Sequence, residues 1–339
     1  MIIGSVFLIA GLIAVANATK LYQFILSFSV LCGLGSGIVM SPIIGVISHY
    51  FKRNRATAIG IATNGGSVGG VVFPLMLRKL YSDIGFMWSM RILALIGIVC
   101  MVISYLLVKE RNFEDIIPRK VLKTKKEVAN FYLSSSFDFK SVTKDFKFVL
   151  VTLGCVFAEL NIFTSSTYFS FISLKSGFSQ NQAFLFVTVT NAAAIFGRAL
   201  TGVAADKWTG RFNTVIILLL LMSFFQLVVW MPFKTTEAAI YTYCCCYGFC
   251  YGSALSLLPA VCGQISRTTE FGKRYSTMYA IVGVAILCLV PVSAAIVGDG
   301  LDSKRVDGFI VFSSVLCLVG CACYCYARYL CYGFNLRKF

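Results

Sequence analysis

Of the 339 residues, 58% are hydrophobic and only 13% are charged, which is more apolar surface than a water-soluble core can hide. Lipid is the expected solvent, and the chain reads as a polytopic membrane protein. A formal charge of +16 first suggests a nucleic-acid partner, but the Lys and Arg residues are sorted by connector rather than clustered beside aromatics on a soluble face, so no nucleic acid is expected.

Ten apolar stretches of about 20 residues or longer run through the chain, and runs this continuously apolar satisfy their backbone in hydrocarbon as α-helices rather than as barrel strands. The fold class is therefore all-α, with spans expected at 2–18, 22–49, 56–80, 86–108, 147–171, 181–205, 213–232, 238–262, 274–297 and 307–330. The first lacks the basic n-region of a signal peptide, although Ala14, Ala16 and Ala18 supply small residues. His49, the single histidine, lies at the end of the second with no partner pattern for zinc. The third carries Gly60, Gly65, Gly66, Gly69 and Gly70. Gly65 with Gly69, and Gly66 with Gly70, form overlapping GxxxG pairs that let a neighbouring backbone approach closely. Such a face serves tight packing, and equally a surface on which two halves rock; the small-residue span at 181–205 is its natural partner. In the fourth span, Arg91 beside Trp88 reads as an interfacial anchor.

Residues 109–146 form the one long polar stretch and divide four spans from six. The expected organisation is an incomplete N-terminal bundle at 1–108, a basic cytoplasmic linker at 109–146, a six-helix bundle at 147–332 and a short tail at 333–339. If the architecture is two six-helix halves, two helices are absent at the front. Of the 30 Lys and Arg, 21 fall in connectors 50–55, 109–147, 206–212 and 263–273, with Arg274 at the flank of the last, and at the C-terminal end, against 7 in the alternate connectors. The positive-inside rule then assigns both termini to the cytoplasm. Most of the 14 cysteines sit in apolar helices, the run Cys244, Cys245, Cys246 included, and read as reduced packing residues. Cys321, Cys323 and Cys325 are spread around a helix axis by their spacing of two, so no metal is expected there.

There is no nucleotide loop and no HExxH motif in the sequence, so neither an enzyme nor a cofactor is expected. Charges inside the bilayer are costly and mark function. Glu159 falls roughly 17 to 18 Å from the cytoplasmic end of its span and Arg198, in the next span, roughly 11 to 12 Å, at about 1.5 Å per residue. Two readings stand: a structural ion pair, or a substrate and proton site in which Arg198 holds an anionic group while Glu159 titrates. The intramembrane amides Asn64, Asn161, Asn191 and Gln226 join helices or contact substrate. Tyr243, Tyr247 and Tyr251 repeat at i, i+4, i+8, a stripe that either packs or lines a cavity. Glu159, Arg198, Asn161, Asn191 and Tyr247 are the residues assigned to a substrate and proton pathway.

Two stretches carry a resemblance. The first runs from Tyr50 through Phe51, Lys52, Arg53, Asn54, Arg55 and Ala56 to Gly60 and Ala62, and on through Gly65, Gly66, Gly69 and Gly70 to Pro74. The second comprises Gly197 and Arg198, Gly202, Ala205, Asp206 and Lys207, then Gly210, Arg211, Phe212 and Asn213. With the helix plan they resemble the major facilitator superfamily and, within it, the fungal branch of the monocarboxylate porter family. The first is similar to that family's loop before its fifth helix; the second is similar to the superfamily's cytoplasmic loop between helices eight and nine.

The resemblance implies a major facilitator fold of about ten helices, four plus six, in which the four front spans correspond to helices three to six. Arg55, Gly60, Gly65, Gly66, Gly69 and Gly70 would serve helix packing and rocking, and Gly202, Asp206, Lys207, Gly210 and Arg211 a cytoplasmic gate loop. That loop is one residue longer than the family's usual spacing, because Trp208 and Thr209 both precede Gly210, which predicts altered gate contacts. Ala194 stands where proton-coupled animal members carry Asp four positions before the matching Arg, so a coupling carboxylate would come from Glu159. The implied function is transport of a small organic solute, a monocarboxylate-like anion or riboflavin, by alternating access. The alternative is a non-transporting truncated membrane protein or partner subunit. The partners implied are the solute, the bilayer and a proton as candidate coupling ion; no oligomeric state follows. The plasma membrane is the expected location, with an intracellular membrane as the alternative.

Overall fold

A computed structural model describes residues 1–51, 53–108, 137–268 and 270–333. Most of the expected linker, 109–136, and the tail, 334–339, lie outside the described residues. Every element among the described residues is helical: α1 (Ile2–Ala16), α2 (Leu21–Ser48), α3 (Arg55–Leu107), the short α4 (Phe139–Lys144), α5 (Phe146–Lys175), α6 (Gln180–Thr209), α7 (Arg211–Trp230), α8 (Glu237–Gln264), α9 (Phe271–Val297) and α10 (Ser303–Tyr332). Eight of these are long and apolar enough to cross a bilayer. Helix α3, with 53 residues, would reach about 80 Å if straight, far beyond a hydrocarbon core of about 30 Å. It is broken at Gly85, whose φ of 78° and ψ of 171° form a conformation open only to glycine. One residue thus separates the two spans expected at 56–80 and 86–108. Helix α1 has 15 residues, shorter than the expected span 2–18; the chain turns at Asn17, whose side-chain amide donates back to the Ile13 carbonyl at 3.0 Å.

The described chain forms two compact units. One comprises Met1–Tyr50 with the chain from Val72; the other comprises Phe51–Val71 with the chain from Val128 onward, so α3 contributes its first turns to one unit and the remainder to the other. In the first unit, α1 and α2 touch backbone to backbone: a Cβ on Gly35 would stand 2.5 Å from the Leu8 nitrogen, and one on Gly4 2.8 Å from the Gly35 carbonyl. Leu12, Val15, Ala16, Cys32, Met90 and Ala94 make its core. Arg91 lies over the Trp88 ring at 4.9 Å and donates to the Asn17 amide oxygen at 3.1 Å, an anchor joined to the end of α1.

In the second unit the helix ends follow from local chemistry. Asp145 accepts from the Phe148 amide to start α5, Ser179 and Gln182 form a capping box for α6, and Asp302 accepts from the Lys304 amide to start α10. Outside the membrane, α4 is tied to the base of α9: Arg274 lies 3.7 Å from Asp138 and 3.1 Å from Asp145, and Thr277 accepts from the Asp138 amide at 2.8 Å. Partial burial pushes the Asp138 carboxyl up, but the Ser141 hydroxyl and amide that donate to it, with Lys273 and Arg274 nearby, outweigh this and hold it below the usual carboxylate range.

Helices α6 and α8 pack most closely. Added Cβ atoms at Gly197, Gly248 and Gly252 would stand 2.2 Å from the Phe249 carbonyl, 2.5 Å from the Thr190 carbonyl and 2.5 Å from the Ala194 Cβ. Amides and hydroxyls join α8 to three further helices, α5, α7 and α10. Asn161 on α5 donates to Gln226 on α7 at 2.8 Å and to the Ser313 carbonyl on α10 at 2.7 Å, and accepts from Tyr247 on α8 at 3.1 Å. Gln226 donates to Ser165 at 2.7 Å and accepts from Ser314 at 3.2 Å. Asn161, Gln226, Ser313 and Ser314 are fully buried, where each unmade hydrogen bond would carry a desolvation cost.

Candidate functional site

Three layers of polar and aromatic side chains are stacked through the second unit. The first is a cleft of about 450 Å³, open mouth included, between α5, α6 and α8. Its aromatic wall comes from the four-residue repeat on α8. The ring centroids of Tyr243 and Tyr247 are 4.9 Å apart at 21°, and those of Tyr247 and Tyr251 are 6.4 Å apart at 6°. Trp230 extends the ladder, 5.1 Å from Tyr243 at 28°. Phe169 and Val187 also line the cleft, with Asn191, Thr190, Ser165 and Ser166, so aromatic rings and amide and hydroxyl groups share one cavity. The Asn191 side-chain amide donates to the Val187 carbonyl at 3.0 Å, one turn back on α6, and its tip lies where a Cβ on Gly70 would go.

The second layer holds the two intramembrane charges. Glu159 is 1% exposed; its Oε1 accepts from the Tyr279 hydroxyl of α9 at 3.0 Å, and its Oε2 has no hydrogen-bond partner among the described residues. Arg198 is 7% exposed; its Nη1 donates to the Thr63 carbonyl of α3 at 2.6 Å, and its Nε has no acceptor among the described residues. The two interact electrostatically but do not form an ion pair within 4 Å. Tyr251, at the end of the ladder, lies beside the Arg198 guanidinium, which links this layer to the cleft.

The third layer lies at the start of α3. Asp206 takes two hydrogen bonds on Oδ1 from Arg211, from Nε at 3.0 Å and Nη2 at 2.8 Å, and two on Oδ2 from Thr57, the amide at 2.8 Å and the hydroxyl at 2.9 Å. It therefore caps the N-terminus of α3 from α6, where the helix dipole favours a carboxylate. Arg211 also donates to the Arg53 carbonyl at 3.1 Å. Arg55 donates to the Gly263 carbonyl at the end of α8 and lies over the Phe271 ring at 5.1 Å. The extra residue of this loop is taken up by a π-helical turn over Ala205–Thr209, closed by the Gly210 amide on the Ala205 carbonyl at 3.1 Å. Gly210, at φ 81°, then starts α7. The longer spacing thus leaves the Asp206–Arg211 pair formed.

A family model described as the Major Facilitator Superfamily matches residues 1–291. The chain belongs to the major facilitator superfamily. It is 41% identical over 352 aligned positions to the riboflavin transporter MCH5 of Saccharomyces cerevisiae, covering all of this chain and 66% of that protein. It is 32% identical to the MFS-type transporter opdF of Penicillium oxalicum, over 94% of this chain and 70% of that one. Among solved structures, the human organic anion transporter MFSD10 (TETRAN) superposes with a TM-score of 0.69 at 15% identity, over 93% of this chain and 75% of that chain, a likeness of fold. The chain spans about two thirds of the length of the riboflavin transporter it matches.

As a member of this superfamily, the chain is an integral membrane protein that crosses the bilayer several times. Of its sequence-assigned pathway residues, Asn191 and Tyr247 line the cleft, Glu159 and Arg198 form the layer beside it, and Asn161 is committed to the helix-joining network. Of the loop residues, Asp206, Arg211 and Gly210 come together, and Gly202 backs on to Ala56 and Thr57, where an added Cβ would stand 3.0 Å from each. Lys207 is exposed. Of the glycines on α3, Gly60 meets the Arg198 backbone, an added Cβ lying 2.5 Å from its carbonyl, and Gly70 meets Asn191, whereas Gly65 and Gly66 have open space before them. The contact stripe is Ala56, Gly60, Thr63 and Gly70 because residues three and four apart share a helix face, and Gly65 and Gly66 are rotated off it. Sequence reasoning missed Thr57, Thr63 and Tyr279. Tyr279 had a local signal, its spacing of four from Tyr275; the Thr63 carbonyl, being backbone, had none.

Proposed function

We propose that this chain carries a small organic solute across a membrane by alternating access, and that the solute is a planar heterocycle of the riboflavin type rather than a small monocarboxylate. The observation that carries the choice is that the ladder of near-parallel tyrosines lines one cleft together with amide and hydroxyl groups. Aromatic rings in the lining can pack by face or edge against a conjugated ring system, and the amide and hydroxyl groups of the same cleft offer donors and acceptors to its polar edge. A small carboxylate would need a cation in the cleft wall, and the lining holds none; Arg198, hydrogen-bonded to Tyr251, has its Nη1 held by a backbone carbonyl. The 41% identity to a riboflavin transporter supports the same choice.

In this reading Asn191 and Tyr247 contact the solute, Glu159 and Arg198 couple a proton, the Asp206 and Arg211 loop with Arg55 gates the cytoplasmic side, and the face where α3 meets α6 is the sliding surface. Both termini are cytoplasmic, as the 21 to 7 distribution of basic residues supports, and the membrane is the plasma membrane. The test is uptake of labelled riboflavin by riboflavin-requiring cells lacking an uptake system of their own, with the 339-residue chain expressed and its surface level measured. Saturable uptake competed by flavin analogues and not by lactate is expected. Competition by lactate would overturn the choice of solute, and no uptake of either from a surface-expressed chain would favour a non-transporting role.

A further inference from the structure

Glu159 and Arg198 each lack what the other could supply. The carboxylate has one buried acceptor, Oε2, with no donor, and the guanidinium one buried donor, Nε, with no acceptor. They interact electrostatically, yet Arg198 spends Nη1 on the Thr63 carbonyl instead. That carbonyl belongs to the stripe of α3 that meets α6, three residues beyond Gly60, where the two backbones come closest. An ionised carboxylate at 1% exposure with a single hydrogen bond would be strongly uncompensated while the neighbouring arginine is held by the Thr63 carbonyl and Tyr251. A neutral carboxyl in the same place is satisfied by far less. The arrangement described is therefore the one expected when Glu159 carries a proton.

We propose that Glu159 binds a proton and thereby selects the partner of Arg198: protonated, it leaves Arg198 clamping α6 to α3 through the Thr63 carbonyl; ionised, it draws Arg198 away and releases that clamp. The proton arrives from water, adds to a lone pair of Oε2 and returns to water; no other bond changes. The groups around Glu159 are Cys155 on its own helix, Tyr275 and Tyr279 on α9, Tyr324 on α10, Tyr251 on α8 and Arg198 on α6. Cysteine and tyrosine are neutral through the physiological range, so Arg198 is the one standing charge among them. Tyr279 positions the carboxylate: its hydrogen bond favours the ionised form. This inference rests on the proton-coupling role proposed above for the same pair and specifies what the proton does there.

The experiment is backbone hydrogen–deuterium exchange on the purified full chain in lipid nanodiscs, from pH 5 to 9, with rates corrected for intrinsic exchange. Amides of residues 56–67 are expected to lose protection by about tenfold as pH rises through one midpoint. Glu159→Gln, neutral at every pH, should keep them protected throughout. Tyr279→Phe removes a hydrogen bond to the charged form, so its midpoint should rise by about one pH unit. A flat wild-type profile, a Glu159→Gln protein that still titrates, or an unmoved midpoint in Tyr279→Phe each overturns the proposal. Should Glu159→Gln not fold, the wild-type profile and Tyr279→Phe decide. No solute enters this measurement: uptake with a flat profile rejects the clamp alone, whereas a titrating clamp without uptake rejects the transport reading alone.

Discussion

The contact between α6 and α8 leaves no room for a methyl group, and the consequence can be measured. In Gly252→Ala the new Cβ would stand 2.5 Å from the Ala194 Cβ and 2.6 Å from its Cα and carbonyl oxygen. Carbon atoms settle at about 3.5–4.0 Å, so the helices must part by about 1 Å. Because backbone is in the way, no side-chain rotation relieves the clash, and overpacking of this kind costs about 1–3 kcal/mol. For a helical unit of this size that is a fall of roughly 3–10 °C in melting temperature. Thermal unfolding in detergent, followed by fluorescence-detected size exclusion, reads it directly. Gly283→Ala is the control, since an added Cβ there meets nothing within 4 Å and alanine favours the helix. Adding Ala194→Gly to Gly252→Ala should recover part of the loss, the two positions being in contact. Equal melting of Gly252→Ala and the control would refute the close-packing argument.

Asp206→Asn keeps an acceptor for Thr57 but removes the charge that Arg211 meets, so it should destabilise the protein by about 1.5–3 kcal/mol in the same assay, and Asp206→Ala by more. Arg198→Lys keeps the charge but loses the planar fork, and is expected to lower uptake at unchanged membrane abundance; normal uptake would remove Arg198 from the site. Asp138 has its carboxyl held below the ordinary range by Ser141, Lys273 and Arg274. Its stabilisation of the α4 docking is therefore present above its unfolded value of about 3.9 and lost as pH falls through the lower folded value. Proteolysis at residues 137–145 should accelerate on acidification below about pH 4 in the wild type and show no such acid-dependent step in Asp138→Asn, measured with an acid-tolerant protease.

The helices were legible because lipid imposes one rule on every residue of a span, and a run of apolar side chains declares it locally. The break between the third and fourth spans was legible for the same reason, though not that Gly85 alone would make it. Pairing was harder. The small residues of α3 and α6 announced that each helix has a smooth face, but of the GxxxG glycines Gly70 meets Asn191 while Gly65 and Gly66 have open space, and the contact stripe runs on through Gly60. Glu159 and Arg198 were visible as costly charges on successive helices. That each holds a different partner was not, since Tyr279 lies 120 residues from Glu159 in sequence and the Arg198 acceptor is main chain. The extra loop residue read as a threat to the contacts of Asp206, and a π-helical turn absorbs it without any special residue type.

The amide and hydroxyl network around Asn161 also bears on how the chain is made. Asn161 and Gln226 enter the bilayer on α5 and α7, yet three of the groups that satisfy them, the Ser313 carbonyl and hydroxyl and the Ser314 hydroxyl, belong to α10, which leaves the ribosome after both. Until then two carboxamides sit in hydrocarbon with bonds unmade. Insertion of α10 is thus the event that completes this network. A nascent chain halted before Ser313 would carry in its own membrane-buried amides a mark of incompleteness that quality-control machinery could read.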